Sequence, residues 1–320
     1  MSVAAVTPHS RADAFRHEAL LYAGMDEFLD GSLAFVRDGI EAGEPTLVVV
    51  DAYKIDALRA GLGRDARAVR FADMAAVGHN PARIIPAWHD FVTEHGAGSR
   101  PLRGIGEPIG PCRGRDELVE CQRHESLLNL AFAEVPAFWL LCPYDVDAMD
   151  ESVIDEARRS HPYVGEKQAG GDPSTAYRDL HAIAAPFDLP LGEPSGEPAE
   201  LRFGGGPLGP VRAFVGRYAE EAGLTAAQVA DLVLAANEVA TNSLCHGGGR
   251  GALRLWRDAE TVVCEVRDQG FIHDPMVGRR RPATYRHGGR GVWLANQLCD
   301  LVQIRSNQSG TVVRMHMHVR

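Results

Sequence analysis

Four stretches of the chain hold residues whose types and spacing point to chemistry on an anionic, planar ligand. Glu238 and Asn242 stand four apart in Gln228–Gly249, QVADLVLAANEVATNSLCHGGG, so a carboxylate and a carboxamide project together from neighbouring turns of one helix. Neither serves helix stability: Asn is a mediocre helix former, and a solvated face more often pairs Glu with Lys or Arg. Asp268 closes an alternating run two residues before Gly270, where a planar ring can approach bare backbone and donate an amino hydrogen to the carboxylate. The long loop Phe271–Tyr285 carries Arg279, Arg280 and Arg281, read as a mobile basic flap suited to phosphate oxygens. His287-Gly288-Gly289-Arg290-Gly291 then opens a helix, offering backbone amides and a helix N-terminus to phosphates. Singly, each has a bland reading as a wet helix face, a turn, a solvated loop or a flexible joint. In this order, and together, chance is the poorer explanation.

The elements that must position these residues follow from hydrophobic period. Val229, Leu232, Val233, Ala236, Val239, Ala240 and Leu244 recur as one face of a helix beginning at Gln228 and stopped by His246 and three glycines. Before it come a short strand, Glu200–Phe203, and a helix within Gly206–Gly223. After it, Gly251–Asp258 and Thr261–Asp268 alternate around an Asp-Ala-Glu turn and form a hairpin. A helix over Gly291–Leu301 leads to a terminal hairpin, Val302–Ser306 and Thr311–Val319. The expected architecture is an α+β sandwich, one mixed sheet with helices on one face. His316 and His318 share a face of the last strand and are read as exposed positions.

The first half of the chain is read as α/β. An amphipathic helix over Tyr22–Ile40 precedes a buried strand at Thr46–Val50. The pattern repeats as Tyr53–Ala60 then Ala68–Phe71, Pro81–Glu94 then Leu102–Ile105, and Arg115–Ala133 then Ala137–Cys142. Such alternation predicts a mostly parallel sheet covered by helices on both faces. His17, Glu18, Tyr22, Glu107, His124, Glu125, Tyr144 and Asp145 are polar residues that a ligand could meet, although each alone reads as a satisfied surface or cap residue. Between Gly165 and Pro198, Pro, Gly, Glu and Ser oppose regular structure, apart from a short helix expected at Ala176–Ala185. The domains are therefore expected at 1–165 and 199–320, with a linker at 166–198.

Composition narrows the function. With 320 residues and 45% hydrophobic content, the chain can bury two cores. A net charge of −10 argues against non-specific nucleic-acid binding and against a polybasic membrane patch. No apolar run approaches the roughly 18 residues of a membrane span, and the first residues have no signal-peptide core, so a cytoplasmic location is expected. The six cysteines include no C-x-x-C, which indicates reduced, mostly buried thiols rather than a zinc site or disulfides. Lys54 and Lys167 are the only lysines and neither follows a phosphate-loop glycine, so a nucleotide would be held some other way.

The opening segment HEALLYAGMDEFLDGSLAFVRDGIEAGEPTLVV, with ECQRHESLLNLAF and FWLLCPYD, resembles the MEDS sensory domain, a RecA-like fold without a phosphate loop. This resemblance implies a sensor of small molecules and carries no catalytic residue. The second half resembles the GHKL (Bergerat) ATP-binding fold, and within it the anti-sigma-factor serine kinases, through NEVATNSLCHGG, VRDQG, GGRGVWLANQLCD and GTVVRMHM. Carried over, Glu238 is the general base, Asn242 ligates Mg²⁺ between the phosphates, Asp268 reads adenine and Thr311 supports it, while Gly270, Gly288, Gly289 and Gly291 line the nucleotide. Arg290 departs from the small or apolar residue many relatives have there. The resemblance implies ATP and Mg²⁺ as cofactors, a sigma factor and an anti-sigma-factor antagonist as partners, and a small-molecule signal at the first domain. A homodimer and a monomer both accord with the sequence.

Two classes of function stand: a protein serine/threonine kinase acting on the antagonist, and an inactive nucleotide-binding module that only sequesters its partner. Retention of both Glu238 and Asn242 favours the kinase. A histidine kinase fits poorly, because a Pro/Gly linker occupies the place of its phosphoacceptor helical hairpin. Limited proteolysis is expected to cut first between Gly165 and Pro198 and to leave stable fragments, since exposed irregular backbone fits a protease. Early cuts inside Gln228–Gly249 would disprove that organisation.

Overall fold

A computed structural model describes residues 14–96, 100–110, 113–178, 185–282 and 290–320. The chain divides into two compact units, one of Met1–Val77 with Ala87–Ile183 and the other of Gly78–Pro86 with Ala184–Arg320. No described helix is long and apolar enough to cross a membrane.

The first unit runs β1 (Arg16–Tyr22), α1 (Gly24–Ala42), β2 (Thr46–Val50), α2 (Ala52–Leu62), β3 (Val69–Asp73) and a single turn, α3 (Met74–Val77). It continues with α4 (Ile84–His95), β4 (Leu102–Gly106), α5 (Arg115–Ala131), β5 (Phe138–Asp145), α6 (Glu151–Ser160), β6 (Tyr163–Glu166) and β7 (Asp172–Pro173). The sheet order is β3-β2-β4-β5-β1-β6-β7. Every neighbouring pair is parallel except β6 with β7. The sheet thus takes in residues as far as Pro173, part of the Pro/Gly-rich stretch. The short helix expected at 176–185 falls largely outside the described residues.

Two sequence expectations fail here. Tyr22 does not open a helix; it ends β1, an inner strand, and α1 starts beyond Gly24, whose φ of 72° is left-handed. At its other end α1 stops at Gly43, also left-handed at φ 68°, whose amide reaches back to the carbonyls of Gly39 and Ile40. The polar residues of β1 are core residues, not surface ones. Glu18 is fully buried and accepts from the amides of Gly170 and Gly171, both at 2.8 Å, from Arg16 Nε at 2.8 Å and from Trp139 Nε1 at 3.1 Å. His17, Tyr22, Glu107, His124, Glu125 and Tyr144 are buried as well. On β4, Gly104 and Gly106 leave the space that the Trp88 ring fills, for a Cβ at Gly104 would lie 2.8 Å from it.

The second unit holds β8 (Ala199–Gly204), α7 (Gly209–Glu221), α8 (Ala226–His246), β9 (Arg250–Asp258), β10 (Thr261–Asp268), α9 (Gly291–Leu298), β11 (Leu301–Asn307) and β12 (Gly310–His318). The α8 helix starts at a capping box in which Thr225 and Gln228 exchange side-chain and backbone hydrogen bonds. Val211, Val215, Leu232, Ala236, Val239, Ala240 and Ala295 pack from the helices onto Leu253, Leu255, Cys264, Val266, Val313 and Met315 of the sheet. The sheet order is β11-β12-β10-β9-β8, and all neighbouring pairs are antiparallel, not mixed. The reason lies in the connections. A pair of helices joins β8 to β9 and so returns the chain antiparallel, whereas α9 alone carries β10 to β11 in the same direction, but β12 inserts between those two.

The sheet face turned away from the helices is polar yet largely buried. Arg254, Glu265, Arg314 and Gln303 lie in register across β9, β10, β12 and β11. Fully buried Glu265 accepts from Arg254 Nη1 (3.1 Å), Arg267 Nε (2.6 Å) and Arg314 Nε and Nη2 (2.9 and 2.7 Å). The segment 189–193 crosses this row: Glu193 pairs with Arg254 and Arg267, and the carbonyls of Leu189 and Gly192 accept from Arg305 and Arg314. His316, expected to be exposed, is buried on this face and faces Gln303 Oε1 at 3.0 Å. Glu265→Ala leaves three guanidinium groups without their shared carboxylate. It should destabilise this unit by on the order of 3–5 kcal/mol in urea denaturation, whereas Glu260→Ala, at an exposed ion pair, should leave the midpoint nearly unmoved.

Candidate functional site

Helix α8 and the ends of β10 and β12 build a cavity of about 300 Å³, within the size range of small-molecule sites. Its walls are apolar, from Val239, Phe271, Ile272, Val277, Val292 and Val313, and its polar atoms come from Asn242, Asp268, Gly270 and Thr311. Four of the residues singled out in the sequence therefore meet in one place.

Asp268 ends β10 opposite Thr311 on β12. Its carboxylate is fixed from two sides: Oδ2 accepts from the Ser243 hydroxyl at 2.6 Å and Oδ1 from the Gly270 amide at 2.7 Å. Each oxygen keeps a lone pair for a further donor. Thr311 Oγ1 donates to the Gly270 carbonyl at 2.8 Å and contacts Ser306 Oγ at 2.7 Å, which in turn accepts from the Ile272 amide at 2.8 Å. The turn after β10 is thus pinned to the β11–β12 hairpin by two hydroxyls. Ser243 and Ser306 were not among the residues expected at the site. Ser243 had a signal, a hydroxyl next to Asn242 on the mainly apolar buried side of α8.

Glycines shape the approach. A Cβ at Gly247 would stand 2.4 Å from Asp268 Cγ, although its φ of −99° is one that any residue adopts. At Gly270 a Cβ would lie 3.0 Å from Asp268 Oδ1, and at Gly291 it would lie 2.9 Å from Asn242 Nδ2 and 3.3 Å from Glu238 Cβ. The start of α9 therefore rests directly against the part of α8 that bears Glu238 and Asn242. Glu238 and Gly291 border the cavity's neighbourhood without lining it. Gly288 and Gly289 lie outside the described residues.

The arginine loop differs from a free flap over its described part. Arg279 is buried, its amide donates to the Met276 carbonyl at 3.0 Å, and Asn296 Nδ2 donates to the Gly278 carbonyl at 3.0 Å. Packing against α9 holds residues 276–279 down, and Arg280 and Arg281 remain exposed.

In the first unit the expected polar residues form two buried groups. At the carboxyl ends of β1 and β4, Tyr22 donates to Glu107 at 2.7 Å and Lys54 Nζ reaches both Glu107 oxygens at 2.6 and 2.7 Å. Burial, with the Glu107 charge, holds the Tyr22 hydroxyl protonated far above its usual range. Asp145 ends β5 and accepts from the amide of Gly24. The other group joins His17 and Glu125 to two residues not singled out beforehand, Cys142 and His161. Burial, with the His161 ring beside it, lowers the His17 imidazole to about 4.

Comparison with known proteins agrees with both halves. Residues 16–162 match the MEDS domain, described as MEthanogen/methylotroph, DcmR Sensory domain, and residues 207–317 match the histidine kinase-like ATPase domain. The chain is similar to the serine-protein kinase RsbW of Halalkalibacterium halodurans, 29% identical over 130 residues that make up 37% of this chain and 77% of the relative. Among solved structures, the RsbU and RsbW domains of Rv1364c from Mycobacterium tuberculosis align at 17% identity and a TM-score of 0.29, over 38% of this chain and 32% of that one. The chain therefore joins an N-terminal MEDS domain to a C-terminal histidine kinase-like ATPase domain homologous to the serine-protein kinase RsbW.

Proposed function

We propose that the C-terminal domain binds ATP with Mg²⁺ and phosphorylates a serine or threonine of an anti-sigma-factor antagonist, in the cytoplasm, and so controls a sigma factor and transcription. The N-terminal domain, read as RecA-like without a phosphate loop, would set this activity in response to a small molecule. A homodimer fits the same reading. The observation that carries the kinase assignment is the shared cavity of Asn242, Asp268, Gly270 and Thr311, with Glu238 one helical turn from Asn242 and held against Gly291.

Its apolar walls suit an aromatic base and its one carboxylate suits an exocyclic amino group. Asp268 comes to that task pre-oriented, because Ser243 and the Gly270 amide hold it before any ligand arrives. Asn242 would hold Mg²⁺, which when bound neutralises charge on the phosphates. Glu238 accepts the proton of the partner's hydroxyl as that oxygen attacks the γ-phosphorus, and the bond to the bridging oxygen of ADP breaks. The antagonist leaves as a phosphoester.

Asp268→Asn should weaken ATP binding by about 1.5–3 kcal/mol, at least tenfold, the range for a charged hydrogen bond. Gly247→Ala should weaken it too, since the added methyl displaces the Asp268 carboxylate at an overpacking cost of about 1–3 kcal/mol. Calorimetry on the folded proteins checks both, and unchanged affinity in Asp268→Asn rules out the adenine assignment.

Glu238→Gln keeps size and removes basicity. Transfer of labelled phosphate to a cognate antagonist should fall by roughly two to four orders of magnitude while ATP binding persists. Asn242→Ala should in addition weaken the Mg²⁺-dependent part of binding. Transfer at the wild-type rate in Glu238→Gln refutes the general base, and a wild type that binds ATP and a sigma factor yet modifies no antagonist makes the chain a sequestering module.

A further inference from the structure

The buried group of the MEDS domain has an arrangement that the ATPase reading does not use. His17 on β1, Glu125 on α5, Cys142 on β5 and His161 just after α6 bring four ligand atoms within 4.8 Å of one another, all of them enclosed. Glu125 Oε2 lies 3.2 Å from His17 Nε2 and 3.1 Å from His161 Nε2, and Cys142 Sγ lies 3.4 Å from His17 Nε2. The edges of a tetrahedron around zinc, from bonds of about 2.0–2.3 Å, are roughly 3.3–3.6 Å.

Both imidazoles are turned to offer lone pairs inward. Asn129 Nδ2 donates to the Ser160 carbonyl at 2.7 Å and to the Ser126 carbonyl at 3.3 Å, which fixes its amide so that Oδ1 faces His17 Nδ1 at 3.1 Å. His17 Nδ1 must then carry the proton. His161 Nδ1 faces the Ala157 carbonyl at 2.8 Å and must carry one as well. In the neutral rings both Nε2 atoms are therefore bare, and they converge on a carboxylate oxygen and a sulfur. His161 Nε2 and Glu125 Oε1 have no hydrogen-bond partner despite full burial. Two imidazole nitrogens and a carboxylate thus crowd together out of water with one weakly donating thiol among them, and a cation removes their mutual repulsion. The outward hydrogen bonds that set each imidazole are the kind that orient histidine ligands of metals.

We propose that His17, Glu125, Cys142 and His161 bind one divalent transition-metal ion, zinc by ligand type. Two neutral imidazoles, a carboxylate and a thiolate balance its two charges, so the enclosed complex is neutral. Four protein ligands close the coordination shell, as in structural zinc sites. The ion fastens α5 and the end of α6 to one face of the β1–β5 pair. On binding, the Cys142 thiol loses its proton to solvent and a sulfur–metal bond forms, with no change of oxidation state.

The test uses the full-length, untagged chain from zinc-supplemented growth. Elemental analysis should find about one zinc per chain, and X-ray absorption at the zinc edge should give one sulfur and three nitrogen or oxygen neighbours. After exchange with Co²⁺, a thiolate-to-cobalt charge-transfer band should survive in Cys245→Ser, at an exposed cysteine, and vanish in Cys142→Ser. Should Cys142→Ser fail to fold, the absorption spectrum of the wild type decides alone. A wild type that carries less than about a tenth of an equivalent overturns the proposal, as does a zinc shell without sulfur or a cobalt band lost only in Cys245→Ser.

Discussion

The candidate nucleotide cavity depends on one carboxylate held still. Asp268 sits at the end of a strand, where backbone pairing stops and a side chain is free to swing, yet Ser243 and the Gly270 amide hold it from both sides. That grip needs close approach between the C-terminus of α8 and the turn after β10. Close approach needs Gly247, where a single methyl would collide with the carboxylate. The Thr311 and Ser306 hydroxyls then tie the same turn to the last hairpin. Three elements distant in sequence thus converge because one helix end carries no side chain at the point of contact.

Period-based reading worked where one side of an element is core and the other is not. Helix α8, the β9–β10 hairpin and the last two strands carry most of their apolar residues on the helix-facing side, so their 3.6- and 2-residue periods were legible to within a few residues. The residues of the cavity were legible for the same reason, since Asn242 and Asp268 break a pattern otherwise complete. β1 was not legible. It is buried on both faces, and its polar residues His17 and Glu18 point inward to partners over a hundred residues away, so alternation carries no information about in and out. His316 was misread similarly, because the far face of the second sheet is polar and still covered. Strand direction was out of reach as well: nothing local in β12 says that it inserts between β10 and β11.

The two sheets solve the burial of charge in different ways. In the second unit Glu265 is enclosed by guanidinium groups in register on neighbouring strands, each with several donors, so its oxygens are fully matched. In the first unit Glu18 is matched by backbone amides, an indole and an arginine, and Glu107 by a lysine and a phenol. Glu125, by contrast, faces two imidazole nitrogens that are acceptors when neutral and a thiol that is only a weak donor. The contrast singles out that carboxylate among the buried ones.

In the first unit, existing pairing limits what a ligand at the end of the sheet could gain. A ligand at the carboxyl ends of β1 and β4 must compete with the Tyr22–Glu107–Lys54 group, whose atoms are already paired at 2.6–2.7 Å. Displacing those bonds costs as much as a polar ligand gains by replacing them, so a polar ligand there would bind weakly. An apolar one would gain only the area it buries. Affinity at this end of the sheet must come from groups other than this triad, or from a ligand that adds donors and acceptors while leaving the Lys54–Glu107 pair intact.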